Sequence, residues 1–409
     1  MLTALVSLLL LTPTMTTVQK TSDGWQLLRN GKPYTIKGVG GTAHPDVLVE
    51  AGGNSMRTWG PEQAARELDE CQKYGLTLTI GIWLGHKDSF DYSDPAKVRQ
   101  QYESTRAVVE KYKDHPALLM WGLGNEMEMG NDTPELWKAI EDLAKLCKKL
   151  DPSHPTMTVV AEISPEKIAH IKQYAPSIDV LGVNSYGSMP TMPKRLKEAG
   201  WDKPYVVTEF GPVGWWERPK TPWGAALEPT SSEKAAFYAK SYHDAVEVEK
   251  GWCLGSYAFL WGHKQEQTPT WFGMFLPTGE RTESIDVMTY AWSGKWPKNR
   301  VPSLVSFEMD QSGKDVAPGA EISAAVKAKD EDGDPLTYLW EIRKEAGTNG
   351  YAGQGERTPP PIPGLVDNLG SPRIKFKAPS EAGAYRLYIT VKDGKGNAAT
   401  ANLPFRVTG

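Results

Sequence analysis

Residues 118–126, Leu-Leu-Met-Trp-Gly-Leu-Gly-Asn-Glu, form an apolar run that ends abruptly in a carboxylate. The run is apolar throughout rather than alternating, which is typical of a β-strand buried on both faces. Similar runs recur between residues 33 and 296, and stretches of helical periodicity separate them. Together the runs predict eight strands, at 34–39, 55–58, 76–83, 118–124, 156–161, 180–184, 205–208 and 254–260.

The stretches between these runs show helix signals. The stretch 61–74 opens with proline and is followed by Gly75, the asymmetry expected at the two ends of a helix. Eight strands that alternate with helices predict an α/β fold of the (β/α)₈ TIM barrel type. A doubly wound sheet is the alternative, but Gly38, Gly40 and Gly41 lack the third glycine of its phosphate-binding loop. The longer predicted helices are 95–112, 134–150 and 232–249.

The pattern changes after Trp296. Short alternating strands with turn sequences between them predict a small immunoglobulin-like β-sandwich, with Trp340 in its core. We therefore divide the chain into a barrel at 21–297 and a sandwich at 298–409. The predicted sandwich strands are 321–328, 336–342, 373–376, 385–392 and 399–407.

The first residues resemble a secretory signal. Leu2–Leu11 is an apolar run of ten residues, which is too short to span a membrane. We assign residues 1–20 to a signal peptide and expect a secreted or periplasmic protein. A buried strand or an irregular start is the alternative, since no basic residue precedes the run.

Composition narrows the possible partners. The net charge of −4 offers no basic surface for nucleic acid or an anionic membrane. Three cysteines, Cys71, Cys147 and Cys253, show neither metal-ligand nor disulfide spacing, so we expect them to be buried. Of the 15 tryptophans, all but Trp340 precede residue 300, which indicates that the barrel carries the function. We predict a monomer without cofactor or catalytic metal.

Two carboxylates stand at the ends of predicted strands. Glu126 follows the fourth strand, and Glu209 ends the apolar run at the seventh. Side chains at the carboxyl ends of barrel strands face the mouth of the barrel, where these two would converge. A pair of carboxylates on rigid strands is what the cleavage of a glycosidic bond requires.

The sequences around these acids resemble a known group of enzymes. Asn125-Glu126 and Thr208-Glu209-Phe210-Gly211 are similar to the acid/base and nucleophile strands of the retaining (β/α)₈ glycoside hydrolases of clan A. The resemblance covers about residues 30–296. It implies that Glu126 is the acid/base and Glu209 the nucleophile.

The same resemblance implies further site residues. Arg57 matches the arginine that holds the nucleophile, and Tyr186 matches the tyrosine of the sixth strand. Trp261 matches the tryptophan beneath the sugar in the cleavage subsite. Asn125, next to the acid, is a candidate hydrogen-bond partner of the sugar 2-hydroxyl.

The chemistry of a retaining mechanism sets different demands on the two acids. Glu126 must hold a proton near neutral pH, so burial and the charge of Glu209 should raise its pKa. Glu209 must stay ionised, a state that Arg57 and the Tyr186 hydroxyl would favour.

Within the clan, the barrel resembles that of family 2 without the leading sandwich domains. The arrangement of a barrel without large additions and one trailing domain is more similar to glycoside hydrolase family 158, whose members are endo-β-1,3-glucanases. We therefore expect a retaining hydrolase of a polysaccharide, with a β-1,3-glucan as its substrate. The alternatives are a β-glucan transglycosylase, a hydrolase of β-mannan or β-1,4-glucan, and a non-catalytic carbohydrate-binding barrel.

Further candidates lie on the loops around the mouth. His86 and His263 are possible ligands of sugar hydroxyls, Glu162 could contact the sugar, and Glu128 is expected to be solvated on the rim. The acidic run Asp330–Asp334 is interpreted as a turn rather than a calcium site. Six tryptophans on these loops could stack on sugar rings, namely Trp59, Trp83, Trp215, Trp216, Trp223 and Trp271.

Overall fold

The protein is described by a computed structural model that covers residues 14–346, 356–366 and 370–409. A closed barrel of eight parallel strands lies between a leading three-stranded sheet and two further sheets. The predicted TIM barrel followed by a β domain is therefore confirmed. The apolar run at residues 2–11 lies outside the described residues.

The strands of the barrel follow one another around the ring in chain order, and the last pairs with the first. Parallel strands need a crossover between each pair, and helices on the outside of the ring provide most of them. The barrel strands are β4 (Ile36–Gly40), β5 (Ser55–Arg57), β6 (Thr77–Ile82), β7 (Leu118–Leu123), β8 (Thr156–Ala161), β9 (Val180–Asn184), β10 (Tyr205–Phe210) and β11 (Cys253–Ala258).

The helices begin where the local sequence predicts. Asp94, Thr133 and Ser164 each accept a backbone N–H at the start of a helix, and a proline follows each of them. Within the described residues the α-helices are α1 (Pro45–Glu50), α2 (Ala64–Lys73), α3 (Pro95–Tyr112), α4 (Pro134–Leu150), α5 (Pro165–Tyr174), α6 (Met192–Glu198), α7 (Ser231–Tyr242) and α8 (Glu283–Ser293). A π-helical turn at His243–Glu247 extends α7, which accounts for most of the longer helix predicted there.

A small antiparallel sheet closes the amino-terminal end of the barrel. It consists of β1 (Thr16–Thr21), β2 (Gly24–Arg29) and β3 (Lys32–Pro33). Leu27 of this sheet is buried in one apolar cluster with residues from the bottom of the barrel. β1 pairs with β2 over Thr16–Thr21, so the predicted signal boundary at residue 20 falls within a paired strand. The signal peptide itself stays a prediction.

The described part of the carboxy-terminal domain forms two sheets, of three and four strands. Trp340 is 2% exposed in the apolar core between them, as predicted. The immunoglobulin likeness of this domain stays a prediction. Its strands are β12 (Ser303–Met309), β13 (Asp315–Val316), β14 (Glu321–Lys329), β15 (Thr337–Lys344), β16 (Arg373–Lys377), β17 (Gly383–Lys392) and β18 (Ala398–Val407).

A buried polar network joins this domain to the barrel. The guanidinium of Arg386 pairs with Glu345 and donates a hydrogen bond to the carbonyl of Ala226 at 3.0 Å. The amide of Asn402 donates to Glu228 at 2.6 Å, and Glu228 also pairs with Lys234. Ala226 and Glu228 belong to the loop after β10, so the trailing domain holds a loop of the barrel mouth.

Two further predictions are tested by the fold. The three cysteines are free and buried, as expected from their spacing. Along the described part of the chain, we find no helix that combines the length and the apolar character needed to cross a membrane.

We predict that Gly255→Ala destabilises the barrel strongly. Gly255 lies in β11 with φ +127°, and a Cβ there would overlap the carbonyl oxygen of Ile36 in the neighbouring strand. The left-handed backbone and the steric overlap together should lower the free energy of unfolding by about 3 kcal/mol. Urea denaturation measures this loss.

The matched control is Gly122→Ala in β7. A Cβ at Gly122 would meet its nearest atom at 3.5 Å, an ordinary contact. We expect Gly122→Ala to lower the free energy of unfolding by less than about 1 kcal/mol. Equal losses of unfolding free energy in the two variants would contradict the close approach of β11 to β4.

Candidate active site

Four polar side chains meet at the carboxyl end of the barrel. Arg57 is the last residue of β5, Asn184 ends β9, and Glu209 is the penultimate residue of β10. Glu126 follows β7 by three residues. The strand ends therefore bring together the two acids that the sequence analysis singled out.

Glu209 accepts hydrogen bonds on both of its carboxylate oxygens. Arg57 and the indole of Trp59 donate to Oε1, at 3.1 and 2.7 Å. The hydroxyl of Tyr186 donates to Oε2 at 2.8 Å. Glu209 is only 6% exposed, and these three donors stabilise its ionised form.

Glu126 has the opposite environment. Burial, followed by the negative charge of Glu209, raises the pKa of Glu126 to about 7. The side-chain amide of Asn184 donates to Oε1 of Glu126 at 2.7 Å, which offsets part of that rise. Glu126 can therefore hold a proton near neutral pH while Glu209 remains a charged neighbour.

A chain of hydrogen bonds connects the two acids. Oδ1 of Asn125 accepts from Arg57 at 2.7 Å and from Asn184 at 3.1 Å. Arg57 contacts Glu209 and Asn184 contacts Glu126, so each acid is held by a donor that also holds Asn125. Asn184 was not among the predicted site residues, although a polar residue that ends a buried strand is a signal for such a role.

The backbone at Glu126 is strained. Its φ of +56° lies in the left-handed region, which residues other than glycine and asparagine rarely adopt. The amide of Glu126 donates to the carbonyl of Val159 at 2.9 Å, which fixes this conformation. Strain of this kind concentrates at functional sites, where the surrounding structure stabilises it.

The prediction for Trp261 is wrong. Its side chain is 1% exposed in the barrel core, where it packs edge-on against Phe275. Phe259, two residues earlier in the same run, instead packs against Trp59 and Tyr186, the two aromatic partners of Glu209. Phe259 therefore backs the pocket around Glu209.

The other aromatic candidates differ in exposure. Trp83 and Trp216 are exposed by 54% and 44%, and Trp216 lies edge-on to Tyr186. Trp215 is partly buried, and its indole donates to Glu266 at 2.9 Å. Trp271 lies on the loop after β11, as predicted, but it is 1% exposed and its indole cannot stack on a sugar.

The remaining candidates are held by specific contacts. A ring nitrogen of His86 lies 2.9 Å from the carbonyl oxygen of Asn125. Glu162 pairs with Arg195 at 2.7 Å. Glu128 is not solvated as predicted: it is 3% exposed and pairs with Lys167 at 2.7 Å.

The acidic run in the sandwich forms the predicted turn. Oδ1 of Asp330 accepts from the backbone amides of Asp332 and Asp334, both at 3.0 Å. Oxygens of Asp330, Asp334 and Asp393 lie within 4.8 Å of one another, the one such group among the described residues. It belongs to the sandwich rather than to the barrel mouth.

Comparison with known proteins relates the barrel to one family. Residues 46–214, which include Glu126 and Glu209, match the model described as "Glycosyl hydrolases family 2, TIM barrel domain". The predicted resemblance to a family 2 barrel is confirmed by this match. The likeness to family 158 receives no support from it.

Curated relatives and solved structures agree with that match. The β-glucuronidases of Sus scrofa and Paenibacillus borealis are 28% and 26% identical over 46% of this chain. The chain spans only 32% and 37% of the length of these two relatives.

Two solved structures show the same fold. A family 2 β-galacturonidase from Eisenbergiella tayi has a TM-score of 0.55 at 18% identity, over 69% of this chain and 54% of that one. A β-glucuronidase from Bacteroides uniformis has a TM-score of 0.52 at 12% identity, over 96% of this chain and 48% of that one.

We predict that Glu209→Gln lowers the pKa of Glu126. The substitution removes the negative charge but keeps the shape, so the pKa should fall from about 7 toward its ordinary value of 4.5. It should not reach 4.5, because burial is the larger cause and remains. Carboxyl ¹³C NMR titration, assigned with Glu126→Gln, measures the value.

Glu162→Gln is the matched control. Glu162 also follows a barrel strand with φ +56°, but it is not among the groups that shift the pKa of Glu126. We expect this variant to leave the titration of Glu126 unchanged. An unchanged titration in Glu209→Gln would show that the two acids are not electrostatically coupled.

Proposed function

We propose that the protein is a retaining β-glycoside hydrolase that acts by double displacement. The observation that carries the proposal is the pair of carboxyl groups with opposite environments at the barrel mouth. The carboxylate of Glu209 accepts hydrogen bonds from three donors, and the pKa of Glu126 is raised to about 7. The match to a family 2 barrel supports the same chemistry.

In the first step Glu209 attacks the anomeric carbon of the sugar. Arg57, Trp59 and Tyr186 fix the orientation of its carboxylate, so that little reorganisation is needed in the transition state. Glu126 donates its proton to the oxygen of the leaving group. The products of this step are a covalent glycosyl ester on Glu209 and the released alcohol.

In the second step the same groups work in reverse. Once Glu209 is an ester it carries no charge, so the repulsion that raised the pKa of Glu126 disappears. Glu126 is then a carboxylate that takes a proton from water, and the water attacks the anomeric carbon. Glu209 leaves as a carboxylate, and the configuration of the sugar is retained.

For the sugar, the relatives give the first candidate. Their names record action on β-glucuronides and β-galacturonides, and we propose a β-linked uronide as the first substrate to test. The β-1,3-glucan predicted from the likeness to family 158 has no support in these matches.

One observation favours a neutral sugar as the second candidate. Three cations around the mouth are already paired with carboxylates, namely Arg57 with Glu209, Arg195 with Glu162 and Lys264 with Glu266. A uronate carboxylate would have to compete with these acids. A neutral pyranose, by contrast, needs only hydroxyl contacts and aromatic faces.

We predict that Glu209→Ala lowers turnover by at least about 10³-fold, because it removes the nucleophile. Azide should restore turnover of an activated aryl glycoside and yield the glycosyl azide of inverted configuration. Proton NMR of the first-formed product of the wild type should show the retained anomer.

Glu162→Ala is the control, and we expect its turnover to fall by less than about tenfold. An initially inverted anomer from the wild type would exclude the double displacement. A wild type that cleaves no glycoside would favour the non-catalytic carbohydrate-binding alternative.

A substrate panel separates the two sugars. The 4-nitrophenyl β-glucuronide and β-galacturonide test the uronides, and laminarin, curdlan, lichenan and mannan test the neutral polymers. The 4-nitrophenyl β-glucoside is the neutral counterpart of the glucuronide. If the paired cations exclude uronates, kcat/KM for this β-glucoside should exceed that for the β-glucuronide by about tenfold or more. Products longer than the starting oligosaccharide would identify a transglycosylase.

A further inference from the structure

A groove runs beside the candidate active site, between the loop that follows β5 and helix α3. We call it the outer groove and define it by Pro61, Glu62, Trp83, Phe90, Gln100 and Ser104. Its volume is about 360 Å³, within the range of sites that bind small molecules.

Both walls of the outer groove are linked to residues around the two acids. On one wall, Trp59 donates to Glu209, and Pro61 and Glu62 follow it in the chain. The other wall, at Trp83, is linked to Asn125 through His86. His86 contacts the carbonyl of Asn125, and Trp83 stacks on the ring of His86 at 4.7 Å. These contacts place the outer groove next to the residues that hold Glu126 and Glu209.

The floor of the outer groove is an uncovered polar face of α3. Lys97, Gln100 and Ser104 share this face at intervals of three and four residues. Helix α3 buries only Thr105 and Val109, whereas α4 buries nine residues.

The loop that carries Trp83 is fixed in place. The side chain of Gln101 accepts from the amide of Gly85 at 2.9 Å, and the hydroxyl of Tyr92 donates to the Gly85 carbonyl at 2.8 Å. The first bond ties the loop after β6 to α3, and the second joins two residues within that loop. The groove is therefore formed before any ligand binds. Because the loop is already ordered, binding loses little conformational entropy there.

The lining suits a sugar chain better than an apolar helix. Trp83 presents an indole that is 54% exposed, and pyranose rings stack their C–H faces on such surfaces. Gln100, Ser104 and Glu62 supply amide, hydroxyl and carboxylate groups for sugar hydroxyls. Lys97 balances the charge of Glu62, so no strongly charged ligand is favoured.

We infer that the outer groove binds the next sugar units of a β-linked oligosaccharide whose scissile bond lies between Glu126 and Glu209. The inference rests on the proposed function and deepens it, because it names an oligosaccharide or polysaccharide as the substrate class. Trp83 is the stacking platform of this subsite.

The test compares two substrates for each variant. One is a 4-nitrophenyl monoglycoside, and the other is a tetrasaccharide that ends in the same sugar: laminaritetraose, cellotetraose, mannotetraose or a saturated hyaluronan tetrasaccharide. The measured quantity is kcat/KM for the tetrasaccharide divided by kcat/KM for the monoglycoside. We expect Trp83→Ala to lower this ratio about tenfold.

A second variant changes a residue on the floor of the groove. Ser104→Trp would fill the groove from an exposed position on α3 without altering Trp83, and it should lower the same ratio about tenfold. Trp296→Ala is the matched control, because Trp296 is 45% exposed after α8, far along the chain from the groove. It should leave the ratio unchanged.

The outcomes separate this inference from the proposed function. If the wild type cleaves both substrates and neither groove variant lowers the ratio, the outer groove is not a sugar subsite, although the glycosidase proposal stands. If the wild type prefers the monoglycoside and gains nothing from a longer chain, the inference also fails. If the wild type cleaves neither substrate, both proposals fall.

Discussion

The buried guanidinium of Arg57 is the interaction on which the site depends. Its side chain is 2% exposed, and a charge so deeply buried must be paired and hydrogen-bonded. Arg57 meets this demand with the carboxylate of Glu209, the carbonyl of Thr208 and the amide oxygen of Asn125. Three strand ends are thereby held in one geometry. Removing either Arg57 or Glu209 would leave a buried charge without its partner, so the two residues constrain each other.

The same arrangement makes the two acids chemically different. Donors surround Glu209, whereas Glu126 has one amide donor and a negative neighbour. A fold with eight-fold repetition would by itself give the two strand ends similar environments. The difference comes from the partners that each strand end meets across the barrel axis, and it allows one acid to attack while the other protonates. The trailing domain adds support from outside, because Asn402 and Arg386 hold the loop after β10.

Much of this could be predicted from the sequence, and the errors share one cause. The strands 156–161 and 180–184 and the helices 95–112 and 134–150 have the predicted bounds, because long apolar runs and proline starts are local signals. Trp261 was misplaced because an apolar run that leaves a strand does not reveal which side chains face the axis. Burial of Glu128 depends on Lys167, which is distant in sequence. The leading sheet was missed because its strands are short and only partly buried.

The sequence by itself determined the type of barrel and the two strands that end in glutamates, since periodicity and strand ends are written in consecutive residues. Only the tertiary structure decided which groups surround those acids. Asn184 joins Glu126 to Asn125, and Phe259 rather than Trp261 backs the pocket. These assignments depend on how strands far apart in the chain are aligned and on which way each side chain points. Both follow from the packing of the closed barrel, and no local pattern records them.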